Sequence, residues 1–337
     1  MIRSAFGAFV LLVATIAGAI AQERVSVGVL RTVTNGPLFL AVTNGAFQAE
    51  GINPDIKAYA TPAAIADALA KGEIDIGASS FGPELFNLAG RGDIRLIAGQ
   101  AREEKNFEGN ELVASNAAYA NGLRKYENLP DHSLGLVQYG SSYHYQVGRI
   151  AQLKQFDLGK VVIKAMPSAD ALADAVVAGR VDAAILPGSV ARDLLASGYA
   201  RLIGWCSDLG ETQLGGVFAT AKMITARRAV VEKFVRAYQR GASEYAAALL
   251  RNNSSHKRVA DAKAQAVAEV IGRIVYPKTS VEQAVALVEN AAYAMDPQAR
   301  INVDDIAQQF AWFKAQGLID SAADARNAVD PSFTNAR

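Results

Sequence analysis

The chain of 337 residues contains one cysteine, three histidines and almost no net charge, +1 at neutral pH. Each shortage closes off a class of function. A lone Cys206 forms no intramolecular disulfide, so stability has to come from an apolar core. It sits in "LIGWCSD" after a strand-like run and reads as a small buried hydrophobe rather than a nucleophile. His132, His144 and His256 lie far apart and without metal-ligand spacing, so no metal and no other cofactor is expected. No basic run and no basic-aromatic stripe is present, which argues against a nucleic-acid partner. Apolar residues, by contrast, are plentiful: 51% of the chain is hydrophobic and 20% charged, an ordinary globular balance on a length that suits two domains.

One long apolar run stands at the N-terminus. Arg3 precedes "AFGAFVLLVATIAGAI", and Ala19-Ile20-Ala21 then gives the small-x-small pattern of a cleavage site before Gln22. Residues 1–21 read as a cleaved secretory signal, because the run is short for a membrane-spanning helix. No cysteine follows it to carry a lipid, so a soluble periplasmic protein is expected, and a monomer.

From Arg24 onward strands and helices alternate. "RVSVGVL" has the period of a strand and leads through the loop "RTVTNGP" into the helical "LFLAVTNGAFQAEG", stopped by Gly51. "INPDIKAYA" is a strand, "TPAAIADALAKG" a helix opened by Thr61 and Pro62, and "EIDIGASS" another strand. This alternation predicts an α/β fold with a mostly parallel sheet covered on both faces. The unit then recurs: "IADALAKGEIDIGA" from Ile65 is echoed 107 residues later by "LADAVVAGRVDAAI" from Leu172, with Gly72 matching Gly179 and Asp75 matching Asp182. Strands in "LGLVQY" and "KVVIKAM" and helices in "SSYHYQVGRIAQLKQF" and "SVARDLLASG" surround the second copy.

Two similar α/β lobes leave a cleft between them. Beyond "GGVFATAKMIT" the chain is almost wholly helical, and these helices are expected to complete the first lobe by packing on it. The expected division is lobe 1 over 22–113 and 218–337 and lobe 2 over 114–217, joined by two crossover hinge strands near Glu111–Ser115 and Gly216–Thr220.

Taken in order, "NGPLFLAVTNGAFQAEGINPDI", "LAKGEIDIGASS", "YGSSYH", "VVAGRVDAAILPG" and "GGVFATAKMI" resemble the periplasmic substrate-binding components of ABC importers in the nitrate, sulfonate and taurine group, related to thiamine-precursor binders. The resemblance implies a type II-like two-lobe periplasmic binding protein fold. It also implies a small-molecule ligand and a membrane permease as partner. "GSSYH" is nearest the pattern of aliphatic-sulfonate binders, whereas "NLPDHSLGL" and the aromatic "YHYQ" depart from the family and weaken any transfer of ligand identity.

The residues themselves suggest how a ligand would be held. A helix starting near Ser142 points unpaired amides and a positive dipole end into the cleft. Gly140 permits close approach, and Ser141 and Ser142 offer hydroxyls, one of which also suits a cap. In lobe 1, Thr34, Asn35, Ser79, Ser80 and Phe81 stand at strand ends that face such clefts. Pro187 shapes the counterpart loop of lobe 2. Tyr143, His144, Tyr145 and Trp205 are candidates for an aromatic wall, and Arg31, Arg102, Arg149 and Arg192 for a cationic clamp. The expected function is a solute receptor, not an enzyme, taking a sulfonate or carboxylate. The alternatives are an enzyme on the same fold, for which the G-x-S-x-G elbow is missing, or a pyrimidine binder.

Overall fold

A computed structural model describes residues 22–252 and 258–334. The expected signal segment, 1–21, and His256 lie outside the described residues.

Two five-stranded sheets organise the chain. β1 (Glu23–Leu30), β2 (Ile52–Tyr59), β3 (Ile76–Ser80) and β4 (Ile94–Gly99) belong to the first; the chain then crosses through the short β5 (Arg102–Glu103). β6 (Asn110–Ser115), β7 (Ser133–Leu136), β8 (Val162–Ala165), β9 (Ala183–Pro187) and β10 (Ala200–Trp205) form the second. The return runs through β11 (Thr212–Gln213) to β12 (Gly215–Thr220), which enters the first sheet. The orders are β2-β1-β3-β12-β4 and β8-β7-β9-β6-β10. In each, the one strand antiparallel to its neighbours is the first one entered after a crossing. The segments expected as crossovers, Glu111–Ser115 and Gly216–Thr220, are therefore interior strands of the two sheets. The passages themselves are 100–109 and 206–214, tied together where β5 pairs with β11.

The 107-residue repeat is a repeat of contacts as well as letters. The Ser26 N–H and hydroxyl both donate to Asp75 Oδ2, at 2.9 and 2.8 Å, and the Asp75 N–H donates back to Ser26 Oγ. Ser133 and Asp182 form the same three bonds at 2.8 to 2.9 Å. Thr61 and Ser168 cap the equivalent helices Pro62–Ala70 and Ala169–Val177. Gly72 and Gly179 follow those helices with φ of +68° and +66°, a left-handed turn that a side chain would strain.

Apolar alternation places the cores. Val25, Val27 and Val29 of β1 are fully buried under the helix Arg228–Leu249, whose Phe234, Tyr238 and Tyr245 face the same cluster. Burying a side chain such as Phe234 stabilises by about 1.5–3 kcal/mol. The other face of the first sheet is covered by Phe86 and by Phe310 and Phe313 of the helix Val303–Ala315. The C-terminal helices thus pack on the first lobe. Helix Val303–Ala315 also fastens the crossing: Asp305 Oδ2 accepts the Gln213 N–H at 2.7 Å, and Gln309 donates to the Gln213 carbonyl.

Candidate functional site

A cavity of about 530 Å3 opens between the lobes, at the C-terminal ends of β1, β3, β7 and β9. That volume falls in the range of small-molecule sites. Both lobes contribute loops that follow parallel strands, the position at which open α/β sheets bind ligands.

Of the residues expected from sequence, Thr34, Ser80, Phe81, Gly140, Ser141, Ser142, Tyr143 and Pro187 line this cavity. Four do not. Asn35 is fully buried, donating to the Leu30 carbonyl and accepting from Gln100 Nε2 at 2.6 Å, so it anchors the loop after β1 to the crossing. The Ser79 hydroxyl is buried against the Ser80 carbonyl. Trp205 closes the edge strand β10, outside the cavity, where its carbonyl accepts from the Tyr126 hydroxyl. His144 turns its ring toward Trp312 and uses Nδ1 to accept the Gly140 N–H at 3.1 Å. Desolvation lowers its pKa to about 4, which keeps the imidazole neutral with its proton on Nε2. Tyr145, the fourth ring proposed for the wall, is buried among first-lobe residues rather than in the cavity.

The helix Ser142–Leu153 begins at the cavity. Ser141 is its N-cap: Oγ accepts from the His144 N–H, and the hydroxyl proton is engaged by the Gln138 carbonyl at 2.6 Å. The neighbouring Ser142 hydroxyl has no partner among the described residues, and Ser142 and Tyr143 line the cavity with backbone N–H groups that the helix itself supplies with no acceptor. Gly140 sits just before, with φ of +77°, and faces Pro83 of the other lobe across the cleft. Pro83 itself opens the helix Pro83–Arg91, so two helix N-termini converge on the same space.

Only one of the four candidate arginines reaches the cavity. Arg31 is exposed on its lining and has no partner among the described residues. Arg102 is buried against Glu104 and Asp296, Arg149 donates to the Glu211 and Leu209 carbonyls, and Arg192 binds Glu108. Among the described residues, Glu84 supplies the lining's single carboxylate.

Residues that sequence reading missed complete the lining: Gln100, Ala101 and Asn110 from the first crossing, and Tyr276, Ala291 and Tyr293 from the C-terminal helical region. Asn110 opens β6, and Tyr293 lies just past the helix Val281–Ala291, so no local motif joins them. Desolvation pushes the Tyr143 phenol up to about 12, so it is neutral at any physiological pH. Glu103 and Glu111 lie buried behind the lining, and desolvation raises them to about 7 and about 8. Cys206 is buried beside them, and burial foremost, then their charge, drives its thiol well above the ordinary range. That environment opposes a nucleophilic thiolate. Among the described residues no group of three or more His, Cys, Asp or Glu is placed to hold a metal.

The sequence profile of the family described as NMT1/THI5 like matches residues 33–248. No curated protein matches significantly. Among solved structures, the aliphatic sulphonate binding protein SsuA of Escherichia coli superposes with a TM-score of 0.69 at 14% identity, over 91% of this chain and 92% of that one. The alkanesulfonate-binding SsuA of Xanthomonas axonopodis pv. citri, bound to MOPS, gives 0.62 at 20% identity over 91% and 98%. The nitrate-binding NrtA of Synechocystis PCC 6803 gives 0.55 at 11% over 77% and 68%. These likenesses establish the fold as the two-lobe periplasmic binding protein architecture.

Proposed function

The chain belongs to the NMT1/THI5-like family, and on that footing we propose that it is the periplasmic solute receptor of an ABC importer. It closes two lobes over a small organic anion, a sulfonate or carboxylate, and delivers it to a membrane permease. The observation that carries this reading is the cavity at the start of helix Ser142–Leu153, where the Ser142 hydroxyl and Arg31, both without a partner among the described residues, meet the positive end of the helix dipole. Each of these favours negative charge. The sulfonate binders among the structural neighbours share the fold and support the same class. Tyr143, Tyr276 and Tyr293 give the cavity apolar and aromatic surface for the body of the ligand. Residues 1–21 are taken as the export signal.

The test is a thermal-shift panel of alkyl and aryl sulfonates, carboxylates and neutral pyrimidines. A ligand at a hundred times its dissociation constant adds about 2.7 kcal/mol to stability, and the acids are expected to supply that shift. Stabilisation by pyrimidines while every acid fails would replace the anion receptor with a thiamine-precursor binder.

A further inference from the structure

Gln100 follows β4 at the start of the first crossing, is only 2% exposed, and lines the cavity. Three of its four polar groups are held within the protein. Its N–H donates to the Gly215 carbonyl at 3.1 Å, its carbonyl accepts from Gln213 Nε2 at 3.0 Å, and its side-chain nitrogen donates to Asn35 Oδ1 at 2.6 Å. The fourth group, Oε1, has no partner among the described residues. Nor does it belong with the unpaired side-chain oxygens sealed from solvent, such as those of Gln213 and Gln309. Its opening is the cavity that Gln100 lines.

Backbone groups fix which end of the Gln100 amide faces the cavity. A side-chain amide can be turned end for end, so its own position does not set its polarity. Asn35 sets it. The Asn35 nitrogen donates to the Leu30 carbonyl at 2.9 Å and reaches the Ala78 carbonyl at 3.4 Å. A backbone carbonyl only accepts, so turning Asn35 over would press its oxygen against two others. Asn35 therefore presents oxygen to Gln100, and Gln100 answers with nitrogen. No titratable group takes part in these bonds, so the polarity holds at every pH at which the protein is folded. An amide oxygen is left for the cavity. Gly215 makes room for it, since a Cβ added there would lie 2.6 Å from Gln100 Oε1.

We propose that Gln100 is a specificity-determining residue of the receptor: its Oε1 accepts a hydrogen bond from the solute, so the ligand carries an O–H or N–H group in addition to its acidic group. The proposal deepens the receptor reading above and rests on it. Asn35 is a positioning residue, acting on the solute through Gln100. Water satisfies the oxygen in an open cleft. Closure over a solute without a donor strands it, and a site built to hydrogen-bond discriminates strongly against such an analogue.

Neutron diffraction from deuterium-exchanged crystals reads the polarity without any ligand, because the amide nitrogen carries deuterons and the oxygen does not. Deuterons on the end of Gln100 that meets Asn35 are expected, and deuterons directed into the cavity overturn the proposal. Selection is then measured by calorimetric titration of 3- and 4-hydroxybenzenesulfonate against their fluoro counterparts, similar in size and charge and different in the donor. At least one hydroxy compound is expected to bind about tenfold tighter than its fluoro partner. In Gln100→Met that preference should collapse, and in Asn35→Ala, which frees the amide to turn over, it should shrink. A merely structural loss would weaken both members of a pair alike and leave their ratio standing. Equal affinities within both pairs, or a preference that survives in Gln100→Met, overturn the proposal. If the variants do not fold, the parent ratios and the neutron map still decide it. If the sulfonates fail and neutral pyrimidines bind, the anion reading has failed, and 4-aminopyrimidine against 4-methylpyrimidine puts the same question to Gln100 with the same two outcomes. If no probe binds, the neutron map decides the proposal by itself.

Discussion

Tyr145 stacks on Phe313 with ring centroids 6.4 Å apart and planes 18° from parallel, although the two side chains belong to different lobes. Tyr145 is the fourth residue of helix Ser142–Leu153, and Phe313 is on the helix Val303–Ala315 that covers the first sheet. The Tyr145 hydroxyl reaches Asp305 at 3.3 Å, and Trp312 meets the rings of both Tyr145 and His144 edge-on. The helix whose N-terminus faces the cavity is thereby pinned, one turn in, to the core of the opposite lobe. Separation of the lobes would expose the ring, which is buried here.

Truncating the pin should therefore loosen the junction. Tyr145→Ala is expected to cost about 3 kcal/mol, the usual scale for removing a buried aromatic ring, with Tyr145→Phe costing about 1 kcal/mol. Urea unfolding measures both. In small-angle scattering, ligand should reduce the radius of gyration of the unmodified protein, and ligand-free Tyr145→Ala should be more extended than ligand-free parent. Bound ligand with no compaction would show that the cleft does not close.

Gly140 meets two demands at once: a left-handed φ of +77° and an approach to Pro83 in which an added Cβ would lie 2.6 Å from the proline ring. Gly140→Ala should weaken ligand binding at least about tenfold while costing only about 1 kcal/mol of stability, because its main effect is at the closed cleft mouth. Calorimetric titration beside a denaturation curve separates the two effects. An affinity that is unchanged would place the closing contact elsewhere.

For the anion, Ser142→Ala and Arg31→Ala should each reduce acid-induced stabilisation, since a hydrogen bond to a charged group is worth roughly 1.5–3 kcal/mol. Ser141→Ala should act differently. Its hydroxyl caps the helix and bonds Gln138, so the loss is expected in intrinsic stability, about 1 kcal/mol, rather than mainly in binding.

Stability should decline as pH rises from the acid range to about 8. Glu103 and Glu111 are raised by burial to about 7 and about 8, Glu111 further by the charges of Glu108 and Glu103 and against the pull of Arg192. A carboxyl whose folded value is raised binds its proton more tightly in the native state. Its contribution is complete below the unfolded value near 4.3 and is lost as pH rises through the folded value. His144, lowered to about 4, acts in the opposite sense and only below about pH 6.5. The net fall is expected between about pH 4.5 and 8, partly offset by His144 below about 6.5 and on the order of a few kcal/mol in all, and Glu111→Gln should flatten it. Urea midpoints across that range give the slope, and an unchanged slope in the variant would clear Glu111 of responsibility.

Local pattern determined a good deal of this protein. The strand of Val25 to Val29, the helix beginning at Ser142 and the left-handed glycines after two equivalent helices all follow from periodicity and capping chemistry. The Ser26–Asp75 and Ser133–Asp182 clamps lie on the repeat that the sequence displays. Loops at strand ends put Thr34, Ser80, Ser142 and Tyr143 near a cleft for the same reason, because chain direction in a parallel sheet fixes which ends converge. Periodicity says that a side chain is covered but not by what. His144 and Tyr145 read like cavity rings and are instead packed on Trp312 and Phe313, while Trp205 stands on an edge strand outside the cavity. The expected crossovers look like strands because they are strands, and the actual crossings are too short and irregular to carry a pattern. Asn110 and Tyr293 are 183 residues apart, and their 2.6 Å hydrogen bond exists only because the C-terminal helices fold back over the first crossing. Packing of distant segments decided that contact, and no spacing along the chain encodes it.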